Sequence, residues 1–262
     1  MNRVFAIAQN TFREAVRNKV LYALLVFGIG VILFALPLGQ MSLSEQARVT
    51  RDVGLAGIEL FGILISVFIG VNLVHKEIDR KTIYALVPKP LHRYEFIIGK
   101  YLGIVATLLL MVAIMSIMLL AVLFAQEAPI ESTLIRAITM LFVELMVVTA
   151  VAIFFSSFST PFLSGLFTLV LCVIGLSTDS LRILIKKLPA ALQFVAGFAL
   201  RLLPDLRMFY VSGTMLDGRW ISIHQGNYVD WSYVALATAY GMGYATVILL
   251  LSMWIFSRRD FI

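Results

Sequence analysis

The stretch KEIDRKTIYALVPKPLHRYEFIIGK, Lys76–Lys100, decides the fold. It carries six of the chain's 21 lysines and arginines and two prolines, and it separates two strongly apolar stretches. The chain of 262 residues is 61% hydrophobic and 14% charged, whereas about 25% of the residues of soluble domains are charged. The polar stretch therefore lies in water, and the apolar stretches around it predict membrane spans.

Six apolar stretches predict transmembrane helices, so the expected fold is all-α, a polytopic membrane protein with a single transmembrane domain over residues 1–262. Residues 145–178 hold no charge, which is too long a run for one helix. Pro161 divides this run, because proline disfavours helix in the residue before it. The predicted spans are 20–40, 56–74, 101–125, 134–155, 162–178 and 231–256.

The first 19 residues predict an amphipathic helix that lies in the membrane interface. Phe5, Ala8 and Phe12 recur at helical spacing, with Arg13 and Arg17 largely on the other side. A signal peptide is the alternative, but the apolar run that follows has 21 residues, longer than the roughly 7–15 residues of such a peptide. We expect a retained first span and a cytoplasmic amino terminus.

Residues 179–230 predict a long outer loop that contains a re-entrant or interfacial helix. Pro189–Leu203 is apolar, but a helix of about 15 residues reaches only about 22 Å, too short to cross the hydrocarbon core. It ends at Arg201 and Pro204. This segment is therefore expected to lie in the interface or to enter the membrane and return.

The distribution of basic residues predicts the orientation. With six spans and both termini inside, 12 of the 21 lysines and arginines face the cytoplasm, where the net charge is +7 against −1 on the other side. A seven-span alternative would place Arg258 and Arg259 outside, against the positive-inside rule. The overall net charge of +6 is thereby explained by the membrane, and no nucleic-acid partner is expected.

Two acidic residues fall inside predicted spans. Glu144 lies near the middle of the fourth and Glu59 close to the outer end of the second. A charge at mid-bilayer costs about 2.5–3.5 kcal/mol on insertion scales, so such groups tend to be functional. We consider two roles for them, a polar point in a translocation path or a proton-linked group, and for Glu144 a third, a neutral or hydrogen-bonded residue that only fixes packing.

Small residues recur every fourth position in the second predicted span, at Gly62, Ser66 and Gly70. A small face lets another helix approach closely. The neighbouring helix is either a helix of this chain or one of a second copy, and the sequence leaves both open.

The chain contains no recognisable catalytic motif. The Gly99-Lys100 pair is followed by Tyr101 and lacks the glycines of a phosphate-binding loop, so this chain is not expected to hydrolyse ATP. Its three histidines have no metal-binding spacing. Its one cysteine, Cys172, cannot form an intramolecular disulfide. We therefore expect no enzyme activity, no metal and no cofactor bound by this chain.

The polar stretch itself predicts a short cytoplasmic helix. Ile78, Thr82 and Ala85 fall on one helical side, and Pro88 and Pro90 end the helix. Such a helix can transmit force from a soluble partner to the spans. The alternative is an ordinary basic loop that only sets the topology.

An ordered pattern within this stretch resembles the segment between spans two and three of ABC-2 type transporter permeases. The amphipathic start, the six spans and the long outer connection are similar as well, so the resemblance covers essentially the whole chain. One departure is Lys81, where such permeases often carry glycine. The residues of the pattern E-x4-T-x7-P-x2-R-x-E-x3-G-K are Glu77, Thr82, Pro90, Arg93, Glu95, Gly99 and Lys100.

The resemblance implies the transmembrane permease subunit of an ATP-driven exporter in a bacterial or archaeal inner membrane. It implies a second permease copy and two ATP-binding subunits as partners, with ATP and Mg²⁺ held by those subunits. Ile78–Leu86 would be the coupling helix, and Leu188–Leu203 would belong to the re-entrant region near the outer gate. The coupling residues implied are Glu77, Ile78, Asp79, Arg80, Thr82, Tyr84, Pro90, Arg93 and Glu95.

Other functions stay open at this point. An ATP-independent channel or carrier would need more polar residues in the spans, and an integral-membrane lipid-modifying enzyme would need a nucleophile or paired acids at a membrane-facing site. Within the family, a permease that serves the assembly of an extracytoplasmic metalloenzyme is a further alternative. The substrate could be a lipid, glycan, peptide, drug or sulfur species.

Overall fold

The computed structural model describes residues 2–41, 46–79, 93–128, 132–187, 189–210, 212–216, 219–222 and 230–258. The side chains of 2, 72–79, 93, 190–191, 212–216, 219–222 and 257–258 lie outside that description. A 3-10 turn, Leu206–Met208, and an antiparallel hairpin, β1 (Ser212–Leu216) and β2 (Arg219–Ser222), interrupt the helices. The helices are α1 (Asn2–Val16), α2 (Lys19–Gln40), α3 (Gln46–Asp79), α4 (Arg93–Ala125), α5 (Ser132–Ser156), α6 (Pro161–Leu176), α7 (Thr178–Ile185), α8 (Ala190–Leu202) and α9 (Trp231–Arg258).

The predicted helical, multi-pass architecture is confirmed. Five helices among the described residues, α2, α3, α4, α5 and α9, are long and apolar enough to cross a membrane. The fifth predicted span is the exception, because α6 turns by 71° into α7, and 16 residues of helix reach only about 24 Å. By length and composition, the described residues thus contain five candidate spans, or six if the bent pair counts as one. Within the part of the chain that the structure describes, the hairpin is the one small departure from an all-α fold.

Two helices are longer than their apolar runs predicted. Gln46 begins α3, ten residues before the predicted span that starts at residue 56. Arg93, not residue 101, begins α4. Hydropathy marks only the part of a helix that lies in hydrocarbon, whereas backbone hydrogen bonding continues the helix into water beyond it.

The bundle has two distinct ends. At the terminal end, α1 packs against the start of α4, and Phe256 near the end of α9 stacks on Phe96 with ring centres 5.9 Å apart. At the loop end, the start of α3 meets the ends of α2 and α4, and residues 203–210 pack against α6 and α9. The start of α1 and the end of α9 therefore lie at the same end of the bundle.

The small face of α3 packs inside this chain. Ser66 and Thr149 on α5 share a hydrogen bond of 2.7 Å between their hydroxyl oxygens. A β-carbon at Gly62 would lie 2.6 Å from Leu145 Cδ1, and one at Gly70 would lie 2.8 Å from the β-carbon on the facing turn of α5. The glycines thus let α3 and α5 approach closely, and this face is an intrachain contact, not a surface open to a second copy.

Candidate functional site

The two acidic residues singled out from the sequence lie together. Glu59 on α3 and Glu144 on α5 line one cavity of about 20 Å³, which is room for about one water molecule. The helices run in parallel, and the Ser66–Thr149 contact sets a register that brings the two glutamates to nearly the same height. The other residues that line the cavity are Leu55, Ala137, Leu141, Phe209 and Tyr210.

The Glu144 side chain is only 1% exposed, and its Oε1 has no hydrogen-bond partner among the described residues. Leaving a buried polar atom unsatisfied costs about 1–3 kcal/mol. A residue that served only to fix packing would be expected to bond a neighbouring helix at this atom. Glu144 instead has an unsatisfied carboxyl oxygen and lines a cavity that it shares with a second acid.

Two arginines lie above this pair toward the loop end, and sequence reasoning missed their relation to it. Arg51 precedes Glu59 by eight residues, and Arg136 precedes Glu144 by the same eight. In parallel helices this spacing places both arginines about 12 Å from the acids along the axis. Arg51 is 6% exposed, and the Arg136 guanidinium lies 5.0 Å from the ring centre of Trp231. The repeated spacing was the signal that could have found them.

Three tyrosines on α9 hold the segment that closes the loop end of the cavity. The Tyr233 hydroxyl donates to the Met208 carbonyl at 2.7 Å, and the Tyr244 hydroxyl donates to the Leu202 carbonyl at 3.1 Å. The Tyr240 hydroxyl accepts the backbone N–H that follows Pro204, at 3.1 Å. They satisfy backbone groups between Leu202 and Met208, where the chain leaves α8 and forms the 3-10 turn.

Phe209 is the residue that this segment inserts into the bundle. It is 1% exposed and lines the acid cavity. A β-carbon at Gly241 would lie 3.0 Å from Phe209 Cζ and 2.7 Å from Val143 Cγ1. The glycine on α9 therefore leaves the space that the phenyl ring fills between α9 and α5.

An ionic cluster ties the same segment to α7. Arg182 contacts Asp205 at 3.0 Å and Asp179 at 3.7 Å, and Arg207 contacts Asp179 at 2.8 Å. Burial raises the pKa of Asp205 above its ordinary value, although Arg182 opposes the shift. The pair on α7, Asp179 and Arg182, is more than 20 residues from Asp205 and Arg207 in sequence, and no local pattern pointed to the contact between the two pairs.

The amphipathic helix α1 is fitted onto the start of α4. A β-carbon at Gly99 would lie 2.7 Å from Ile7 Cβ, and one at Gly103 would lie 2.6 Å from the Ala8 carbonyl oxygen. Arg3 and Glu95 approach to 3.9 Å on the rim of this contact, and such a partly exposed pair contributes about 0–1 kcal/mol. We call this contact the α1–α4 joint.

The residues of the predicted coupling segment are placed only in part. Glu95 lies in the α1–α4 joint, and Lys100 is buried with its Nζ 5.7 Å from the ring centre of Phe96. Asp79 ends α3 and Arg93 begins α4. The predicted helix Ile78–Leu86 lies outside the described residues except for its first two positions, which continue α3. Also outside that description are the side chains of Glu77, Ile78, Asp79 and Arg93 and the whole of Arg80, Thr82, Tyr84 and Pro90.

No group of three or more histidine, cysteine, aspartate or glutamate residues in the described part of the chain could hold a metal ion. No protein-family model matches this chain, and no curated protein matches it.

Proposed function

We propose that this chain is the transmembrane permease subunit of an ABC-2 type exporter, which works with a separate ATP-hydrolysing subunit. The observation that carries the proposal is the α1–α4 joint. Glu95 and Gly99 belong to the pattern that resembles ABC-2 permeases, and both lie where the amphipathic helix meets α4. In that family the first helix and the segment between spans two and three contact the ATPase.

A force that the ATPase applies at the terminal end would be transmitted to the transmembrane helices through two connections. The joint couples α1 to α4, because backbone and side-chain atoms of α1 fill the gaps at Gly99 and Gly103. The segment between Asp79 and Arg93 connects α3 to α4 directly. Since α3 packs along α5, movement of α3 would alter the contact that forms the acid cavity. The excess of basic residues in this part of the chain supports a cytoplasmic terminal end.

The test is reconstitution with an ATPase. The chain in lipid nanodiscs is expected to have no ATPase activity alone and to bind the ATP-binding subunit encoded beside it. Reversing the charge at Arg93 should weaken that binding at least about tenfold, or about 1.4 kcal/mol, because a complementary charge pair becomes repulsive.

Arg48→Glu is the matched control, since Arg48 is an exposed arginine on α3 at the loop end. It makes the same charge change and should leave ATPase binding unaltered. Equal losses in both variants, or a chain that never binds an ATPase, would refute the proposal.

A second candidate function is an ATP-independent, proton-linked carrier, which the Glu59–Glu144 pair favours. Liposomes containing this chain alone distinguish the two. Solute movement driven by a pH gradient without an ATPase would support the carrier and count against the exporter.

A further inference from the structure

We propose that Glu59 and Glu144 together form a proton-binding site inside the bundle, in which the two carboxyl groups hold one exchangeable proton through a single bridging water. This site is independent of the proposed coupling to an ATPase. It rests on the cavity between α3 and α5 and on the unsatisfied oxygen of Glu144.

The size and lining of the cavity select the ligand. About 20 Å³ fits one water-sized species. A metal ion such as Ca²⁺ takes about six to eight oxygen ligands, whereas this cavity offers two carboxylates, the side chain of Tyr210 and otherwise apolar side chains. A proton needs only two oxygens and a water. The shared chemistry is therefore that of an acid pair, not of a metal centre.

Electrostatics around the pair favours one retained proton. Two ionised carboxylates in one apolar cavity repel each other, as in acid pairs that share a proton. Neither Glu59 nor Glu144 forms an ion pair with another described residue. Phenol and thiol groups are neutral near pH 7. The cations that flank the site are therefore Arg51 and Arg136, about 12 Å away along the helix axes, and Arg207, which is paired with Asp179. Helix α2 has no ionisable residue between Ala23 and Gln40. The ionisable groups that face or flank the site on the other elements are Arg51 and Asp52 on α3, Tyr101 on α4, Arg136 on α5, Cys172 on α6, Asp205, Arg207 and Tyr210 beside the 3-10 turn, and Tyr240 on α9.

The proton balance is closed within the pair. The O–H bond of one carboxyl group breaks and its proton passes to the water, which gives a proton to the carboxylate of the other glutamate. The pair keeps one proton and one negative charge throughout. Loss of this proton would put two negative charges into the α3–α5 contact and push the helices apart.

Infrared spectroscopy of the full chain in lipid nanodiscs tests the proposal. At pH 7 the wild type should show the C=O band of a protonated carboxyl group, and the band should shift when H₂O is replaced by D₂O because the proton exchanges. Interacting acids titrate in two separate steps. The wild type should therefore show two steps, Glu59→Gln and Glu144→Gln one step each, and the double variant none.

Glu127→Gln is the matched control, because Glu127 is an exposed acid in the connection after α4. It should leave the band and both steps unchanged. The wild-type band and its D₂O shift decide the proposal even if a glutamine variant fails to fold. Absence of the band at pH 7, absence of the shift, or two steps in a single variant would overturn it. A titration that moves when Na⁺ is replaced by N-methylglucamine would overturn it in favour of a metal-cation site.

Discussion

Replacing Gly103 by alanine is expected to loosen α1 from α4. The new β-carbon would lie 2.6 Å from the Ala8 carbonyl oxygen and 2.6 Å from Thr11 Cβ. One of these neighbours is backbone, so a side-chain rotation cannot relieve the contact and α1 must move. Overpacking of this kind costs about 1–3 kcal/mol, and alanine recovers about 0.5–1 kcal/mol of helix propensity.

The central values of these two ranges leave a net cost of about 1.2 kcal/mol, which corresponds to a roughly eightfold increase in the detached population of α1. Hydrogen–deuterium exchange of the α1 amides in nanodiscs measures this population, because local opening controls exchange. The exchange rate of peptides from Asn2–Val16 should rise by that factor, while α5 peptides stay protected.

Gly30→Ala is the matched control. It makes the same substitution in α2, where an added β-carbon meets nothing within 4 Å. Its α1 amides should exchange at the wild-type rate. The reasoning fails if a folded Gly103→Ala protein also keeps the wild-type rate, since the close approach of α1 would then carry no energy.

Three further outcomes are expected. Glu144→Leu should unfold at the wild-type temperature or above, because it removes one of two carboxyl groups buried in one largely apolar cavity; a clearly lower unfolding temperature would show that the carboxyl group stabilises the bundle. Ser66→Ala should cost about 0.6 kcal/mol, and at most about 1.7, on thermal unfolding, because it removes the hydrogen bond to Thr149; no change would show that the bond adds nothing. Hydrogen–deuterium exchange measured from pH 7 to pH 3 and corrected for intrinsic rates should show opposite trends in amide protection around two aspartates. Burial raises the pKa of Asp205, so the stability that this group contributes is fully present below its ordinary pKa of 3.8 and is lost as the pH rises through its raised pKa in the folded protein. The segment around Asp205 should therefore gain protection in acid. Hydrogen bonds from the Ser232 hydroxyl and the Trp231 N–H lower the pKa of Asp230, so the first turn of α9 should lose protection as the pH falls through that lowered pKa. Replacing Asp205 or Asp230 by asparagine should abolish the trend at that residue.

Several helix boundaries could be read from the chain directly. The run predicted over 20–40 is helix α2, Lys19–Gln40, and the Asn18 side chain accepts the Val20 N–H at 3.0 Å to cap it. Pro161 begins α6, as expected from its missing N–H. These boundaries follow from local chemistry, in which uncharged residues enter the hydrocarbon and capping or proline residues end or begin the helix. The long ends of α3 and α4 were missed because charged residues lower the hydropathy of a segment without ending its helix.

The candidate site could be predicted only as separate residues. Glu59 and Glu144 each stood out, because a carboxyl group within an apolar run is costly. Their meeting in one cavity depends on the register of α3 against α5, which the glycines and Ser66 set. Phe209 carried no signal at all, since an aromatic residue in a long loop is ordinary until the loop folds back into the bundle.

The amino-acid order determined that this protein lies in a membrane, where most of its spans run and which acids the membrane contains. Those properties depend on the free energy of moving each residue from water into hydrocarbon, which is local. The pairing of helices was decided by the folded packing alone, because lipid is as apolar as the helix surfaces and offers no preference among them. Shape then selects the partners: the gaps at Gly99 and Gly103 admit α1, the small face of α3 admits α5, and Gly241 admits the ring of Phe209.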